Sequence, residues 1–170
     1  DFLYQLENDQ SLWEVSETQA PFSHETLRSY LENAHLDIYE ARQLRFVITY
    51  KDKAVGCIDL YDYNPKNNRA SIGIALMDSF RGKGIAHSAL QQLCNYAFSY
   101  LNIHQLIAYI PQDNLPSQKL FKNIGFNFID LSIVFLISIS FISALVFVIS
   151  FFMLTLGLVC SFSSSLRCKI

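Results

Sequence analysis

Apolar residues at Leu27, Tyr30, Leu31 and Ala34 recur at the spacing of one helix face, and Ser23 stands ahead of them as a plausible N-cap with Glu25 in the first turn. Before them, Phe2 to Glu7 reads as a short helix, followed by helical or loop material around Trp13. The period then shortens. Leu44–Tyr50 and residues 54–63 are strand-like runs flanking Lys51-Asp52-Lys53, which predicts a hairpin. Asn64-Pro65-Lys66-Asn67-Asn68 is a second turn and leads into a third strand over residues 69–77. Helical spacing returns over residues 84–101, with Leu90, Leu93, Ala97 and Leu101 on the face predicted to meet the sheet. Residues 105–110 form a further strand, and residues 116–123 a helix stopped by Gly125. The long helix between residues 69–77 and 105–110 predicts that those two strands pair in parallel through a right-handed crossover. The order is an antiparallel meander, a crossover helix, a strand and a helix. It predicts an α/β layer of mixed, mostly antiparallel sheet with helices on both faces.

Beyond residue 130 the pattern has no polar phase. Residues 131–166 hold no charged side chain, and residues 131–160 are almost entirely Leu, Ile, Phe, Val and Ser. That exceeds the roughly 20 residues that span a bilayer. Three readings compete for this C-terminal hydrophobic segment: a membrane anchor over residues 131–160, a buried helix pair, or a continuation that is not native. The last follows from codon chemistry, because Leu, Ile, Phe, Val and Met share a middle codon base, so a T-rich stretch read out of frame gives this composition. It is the reading favoured here, together with a front end missing before Asp1. The expected division is therefore a globular domain over residues 1–129, able to stand alone in solution, and a hydrophobic tail over residues 130–170.

Charge and cysteine usage narrow the classes. A net charge of -2 argues for neither nucleic acid nor general attraction to membrane surfaces. Residues 1–40 carry nine acids (Asp1, Glu7, Asp9, Glu14, Glu17, Glu25, Glu32, Asp37, Glu40) against one base, Arg28, whereas residues 41–129 carry ten bases against five acids. Cys57, Cys94, Cys160 and Cys168 have no metal-ligand spacing and read as reduced thiols of a cytosolic chain; no metal is expected.

The basic half contains the most informative motif, Arg81-Gly82-Lys83-Gly84-Ile85-Ala86, set between a predicted strand and a predicted helix. Its glycines allow a tight turn with uncovered N–H groups, and the following helix points its positive end at the same place, which suits a pyrophosphate. Arg81, Gly84 and Ala86 match the Gln/Arg-x-x-Gly-x-Gly/Ala signature, and Asp113-Asn114-Leu115-Pro116-Ser117, Leu120-Phe121 and Gly125-Phe126 follow at the expected distance. In these motifs residues 1 to about 127 resemble the GNAT superfamily of N-acetyltransferases. Phe22-Ser23, Gln43-Leu44-Arg45-Phe46 and Asn102-Ile103-His104-Gln105-Leu106 further resemble its branch of spermidine/diamine and ribosomal-protein acetyltransferases.

The resemblance implies a GNAT-like fold and transfer of an acetyl group from acetyl-CoA to a primary amine in a ternary complex, the acceptor being a small di- or polyamine or a peptide N-terminus. It also implies that the pantetheine pairs with the backbone of Ile74, Ala75 and Leu76. The N–H groups from Arg81 through Gly82, Lys83, Gly84 and Ile85 to Ala86 would hold the pyrophosphate. Asn114 would bond the pantetheine arm, and Phe121 would pack near the thioester. Proton transfer is where the chain departs from its relatives, many of which place Tyr at the position of Phe121 and Glu at that of Ser71. Asp59, Tyr61 and Ser71 remain candidates for catalysis, with Asp62 and Tyr63 alternating beside them; only one subset of these can face the cleft. His104 reads as structural, and His24, His35 and His87 as solvated helix residues. Carboxylates at Glu14, Glu17 or Glu25 could receive the distal ammonium of a polyamine. The rival expectations are a module that binds acetyl-CoA with little turnover, and a membrane-tethered acetyltransferase. Association with copies of itself stays open.

Overall fold

The structure, a computed structural model, describes residues 1–16, 18–129 and 134–138. Four helices come first: α1 (Phe2–Glu7), α2 (Gln10–Ser16), α3 (His24–Glu32) and α4 (Ile38–Ala41). Strands β1 (Leu44–Tyr50), β2 (Lys53–Asn64) and β3 (Arg69–Leu76) follow, then a 3-10 turn at Asp78–Phe80 and helix α5 (Ile85–Ser99). The chain continues through β4 (Gln105–Tyr109), α6 (Leu115–Ile124), β5 (Asn127–Ile129) and β6 (Val134–Ser138). The strands form one sheet in the order β1-β2-β3-β4-β6-β5, and β3–β4 is its parallel pair, as the crossover requires.

Local chemistry accounts for several element ends. The Ser23 hydroxyl accepts from the Thr26 N–H at 3.0 Å and starts α3. That helix stops at Glu32, short of the expected Ala34, and leaves Leu31 exposed. Asn33 explains the stop, since its side-chain amide donates to the Ser29 carbonyl at 3.0 Å and competes with continued helix. Lys51 and Asp52 both take left-handed backbone angles (φ 50° and 61°), giving a two-residue turn of the I′ kind between paired Tyr50 and Lys53. Gly125, at φ 103°, closes α6.

Alternation along the strands assigns the two faces. Phe46, Ile58, Leu60, Ile72 and Leu76 point to the side covered by α5, where Leu90, Leu93 and Ala97 complete the core and Leu101 packs at its edge. Arg45, Asp59, Tyr61, Ser71 and Gly73 are their odd-numbered neighbours and point to the other side. There Glu7 of α1 and Tyr30 of α3 meet Arg45. Helices therefore cover both faces, as expected.

The sheet does not end at residue 129. Val134–Ser138, inside the charge-free run, is a strand between β4 and β5, in register from Gln105↔Ser138 to Tyr109↔Val134. This strand lies beyond residue 129, in the stretch that the expected division gives to the hydrophobic tail. A strand flanked by strands on both sides also reads as an unbroken apolar run, and periodicity alone does not separate it from a membrane helix. No helix among the described residues is long and apolar enough to cross a membrane. The expected anchor over residues 131–160 otherwise falls outside the described residues.

Candidate functional site

β3 and β4 pair at Arg69↔Gln105, Ala70↔Leu106 and Ser71↔Ile107, and pair no further. Beyond Ser71 a gap opens along the β4 side of residues 72–76. The register with β2 determines which groups face it. The Met77 N–H donates to the Val55 carbonyl at 2.9 Å, which makes Met77–Val55 a hydrogen-bonded pair continuing the Gly56↔Leu76 register. Odd-numbered residues of β3 thus turn their peptide groups to β2, and Ile72, Ile74 and Leu76 turn theirs away from it, toward the gap. The stretch Ile74, Ala75, Leu76 lies along this open edge, with Ile74 presenting its N–H and C=O and Ala75 bonded to β2. The Arg81 Nε takes the Leu76 carbonyl at 3.1 Å, and its Nη1 lies 3.2 Å from Asp78.

At the loop end of the gap, Gly82 and Gly84 stand at φ 72° and 76°, and a Cβ at either would meet nothing within 4 Å. Gly84 occupies the N-cap of α5 without a side-chain bond to the first turn, so the leading N–H groups, Ile85 and Ala86 among them, have no side-chain cap from that position. The Lys83 ammonium donates to the Ser79 carbonyl at 2.7 Å and sits 5.3 Å from the centre of the Phe80 ring, so both cations of the loop are tethered beside it. An open strand edge leading to an uncapped helix start fits an extended amide chain ending in phosphates.

The three catalytic candidates share the face covered by α1 and α3. Tyr61 pairs with Ser71, and Ser71 with Ile107, in one row across the sheet; Arg45, Asp59 and Gly73 form the next. Asp59 is not a free base, because both its oxygens are held by Arg45, Oδ1 by Nε and Oδ2 by Nη2, each at 2.8 Å. Nη1 of the same guanidinium reaches Glu7 Oε1 at 2.5 Å, and the Tyr30 ring lies 5.3 Å over Cζ. Burial alone would lower the Arg45 pKa, but the hydrogen bond and charge of Asp59 hold it above the ordinary value. Burial raises that of the Tyr30 phenol. Tyr61 leans along its strand, with Cε1 3.5 Å from where a Gly73 Cβ would stand. Ser71 is buried at 4% exposure. Asp62, at φ 51°, sits in the irregular stretch where the β2–β3 register shifts and is exposed, while Tyr63 is in the core.

Two cavities flank the Tyr61–Ser71 row. One, of about 260 Å3, is lined by Tyr30, Gln43, Leu44, Arg45, Asp59 and Tyr61. The other, of about 270 Å3, lies at the point where β3 and β4 part, against Ser71, Ile107, Tyr109, Asp62 and Arg69. Of the expected acidic contacts, the Glu14 side chain lies outside what the structure describes. Glu25 is an exposed residue of α3 lying 3.9 Å from Arg28, and Glu17 is outside the described residues. Asn114 caps α6, its Oδ1 accepting from the Ser117 N–H at 3.1 Å. Phe121 is a core ring packed edge-on to Phe126, centres 5.0 Å apart, and offers no proton. Glu7, Tyr30 and Gly73 were not among the sequence candidates, and Arg45 was noticed only as part of the Gln43-Leu44-Arg45-Phe46 motif.

The acetyltransferase (GNAT) domain family model matches residues 1–127. The uncharacterized N-acetyltransferase p20 of Bacillus licheniformis is 31% identical over 87 residues, 51% of this chain and 49% of that protein. Spermidine N(1)-acetyltransferase of Escherichia coli strain K12 is 25% identical over 126 residues, 74% of this chain and 66% of that protein. The chain thus spans about half to two thirds of the length of these curated relatives. The crystal structure of spermidine N-acetyltransferase from Vibrio cholerae, in complex with CoA and spermine, superposes with a TM-score of 0.72 at 20% identity. It covers 82% of this chain and 89% of that one, a likeness of fold. A family match over the meander, the glycine loop and the capped helix α6 agrees with what the geometry assembles: the chain belongs to the GNAT N-acetyltransferase family.

Proposed function

We propose that this chain transfers an acetyl group from acetyl-CoA to an amine. The observation that carries the proposal is the parting of β3 and β4 after Ser71, which leaves the Ile74 peptide group facing a gap that ends at Gly82 and Gly84. In this reading acetyl-CoA, when bound, supplies the activated acetyl group. The backbone of residues 74–76 aligns its pantetheine, and the N–H groups of residues 81–86 receive the pyrophosphate. Asn114 reaches the same arm through its amide N–H groups, its oxygen being committed to the helix cap. The thioester then falls near Ser71 and Ile107, beside the 270 Å3 cavity, and the amine enters from the α1–α3 face. An oxygen gaining charge there meets a backbone N–H fixed by the sheet, which costs no reorganisation as the reaction proceeds.

The acceptor class is a di- or polyamine, with a protein N-terminus as the alternative. The acidic first forty residues, and likeness to enzymes that acetylate spermidine, support the polyamine. A second reading, binding of acetyl-CoA with little turnover, draws on Phe121 and on the commitment of Asp59 to Arg45. One experiment decides between them: acetyl-CoA binding by calorimetry, and CoA release with spermidine and with a neutral monoamine at low and high salt. The proposal expects binding, release, and a preference for spermidine that weakens as the Debye length falls below about 8 Å. Binding without release leaves the module reading, and equal rates for both amines remove the polyamine.

A further inference from the structure

The helices over the acceptor face already hold one another. Asn8 exchanges two hydrogen bonds with Phe22, its Oδ1 accepting from the backbone N–H at 2.8 Å and its Nδ2 donating to the carbonyl at 3.1 Å. Tyr4 of α1 stacks on His24 of α3 with ring centres 3.8 Å apart. These contacts make α1 and α3 one layer, yet none of them ties that layer to the sheet. Arg45 does. It projects from β1, takes both oxygens of Asp59 on β2, reaches up to Glu7 at the end of α1, and lies beneath the Tyr30 ring of α3. Four elements converge on one guanidinium. Arg45, Asp59 and Tyr30 are also walls of the 260 Å3 cavity.

We propose that Arg45 is a positioning residue, a clasp that sets the height of the α1–α3 layer above the sheet and with it the width of the acceptor cavity. The inference rests on the acetyltransferase reading for its kinetic consequence and on geometry alone for its mechanical one. A guanidinium suits the task because its rigid fork matches the two Asp59 oxygens and still leaves a donor for Glu7; an ammonium has the charge without the fork. The gap between β3 and β4 lies on other strands, so loosening the clasp changes the acceptor side and spares the acetyl-CoA side.

The test uses the full chain with three substitutions and spermidine as the acceptor probe. Glu7→Ala removes the tie to α1 while leaving the Arg45–Asp59 pair intact. Glu7→Gln retains an acceptor oxygen, and Arg45→Lys retains charge but not the fork. Glu7→Ala is expected to raise KM for spermidine about tenfold, with kcat and the acetyl-CoA Kd unchanged within about twofold; Glu7→Gln falls between it and the parent, and Arg45→Lys behaves like Glu7→Ala. Amide hydrogen exchange supplies a reading that needs no turnover. In Glu7→Ala, exchange in α1 and α3 should quicken about tenfold while α5 and β4 keep their protection. An unchanged KM, a matching loss of acetyl-CoA affinity, or unaltered exchange in α1 and α3 overturns the clasp. Should the parent chain release no CoA with any amine, the catalytic reading falls, and the exchange measurement still decides the clasp.

Discussion

Gly84 sits at φ 76° with open space where its side chain would be, so a substitution there meets two separable penalties. The backbone penalty is the cost of a left-handed conformation for a residue with a Cβ, about 1–2 kcal/mol. The other exists only with ligand present, because the new side chain projects over the N–H groups that begin α5. Gly84→Ala should therefore lower thermal stability modestly and weaken acetyl-CoA binding at least tenfold in calorimetry. Unchanged affinity would remove the loop from the site. Arg81 plays a less obvious part at the same end of the gap. By donating to the Leu76 carbonyl, its side chain covers an acceptor that would otherwise face the phosphates in the proposed site.

Among the elements, β6 changes what a truncation should do. Cutting the chain after residue 129 removes the strand between β4 and β5, which frees the edge of β4 and leaves β5 with no strand to pair. Unpaired edges of this kind recruit other chains. Residues 1–129 should aggregate or melt without cooperativity, whereas a chain ending a few residues past Ser138 should melt as one unit; light scattering and a thermal scan on the two truncations check this. Strands β1 to β4, the crossover helix and the glycine loop were legible in the sequence because each is announced by local period and turn chemistry. The Arg45–Asp59 pair was not. Tyr50↔Lys53 and Thr49↔Ala54 continue from the turn in simple register, which carried on would set Arg45 against Ile58, charge against apolar. A register shift between Ile48 and Thr49 moves the partner by one residue and brings Arg45 to Asp59 and Phe46 to Ile58. A one-residue shift has no sequence signature, so the cavity wall formed by Arg45 and Asp59 stayed hidden. β6 was hidden for a different reason, since its run of apolar residues fits two environments.

For the molecule as a whole, the two cysteines among the described residues define a pH boundary. Burial pushes the thiols of Cys57 and Cys94 from an ordinary 9.0 up to about 12. The folded chain keeps these protons in a range where the unfolded chain loses them. Their contribution is thus neutral below pH 9.0 and turns against folding as the pH rises from there toward 12. Each thiol can remove at most about 1.4 kcal/mol per pH unit in that window. The melting temperature should fall through this alkaline range, and Cys94→Ala should soften the fall; an identical slope in the variant would mean that other groups cause it. At pH 8 neither thiol should react with an aromatic disulfide until denaturant is added, so CoA release can be followed by the same reagent against a quiet background from these two residues.

The open edge of β3 carries one more consequence. What faces the gap at Ile74 is a peptide group, while the side chain of the same residue packs toward the core. Recognition written in main chain is shielded from ordinary mutation, for Val or Leu at this position would present the same N–H and C=O. Alanine scanning across this stretch would report losses of packing and miss the contact altogether. If the proposed function holds, such a chain can drift far in sequence while its cofactor edge stays chemically constant, leaving specificity free to change on the opposite face.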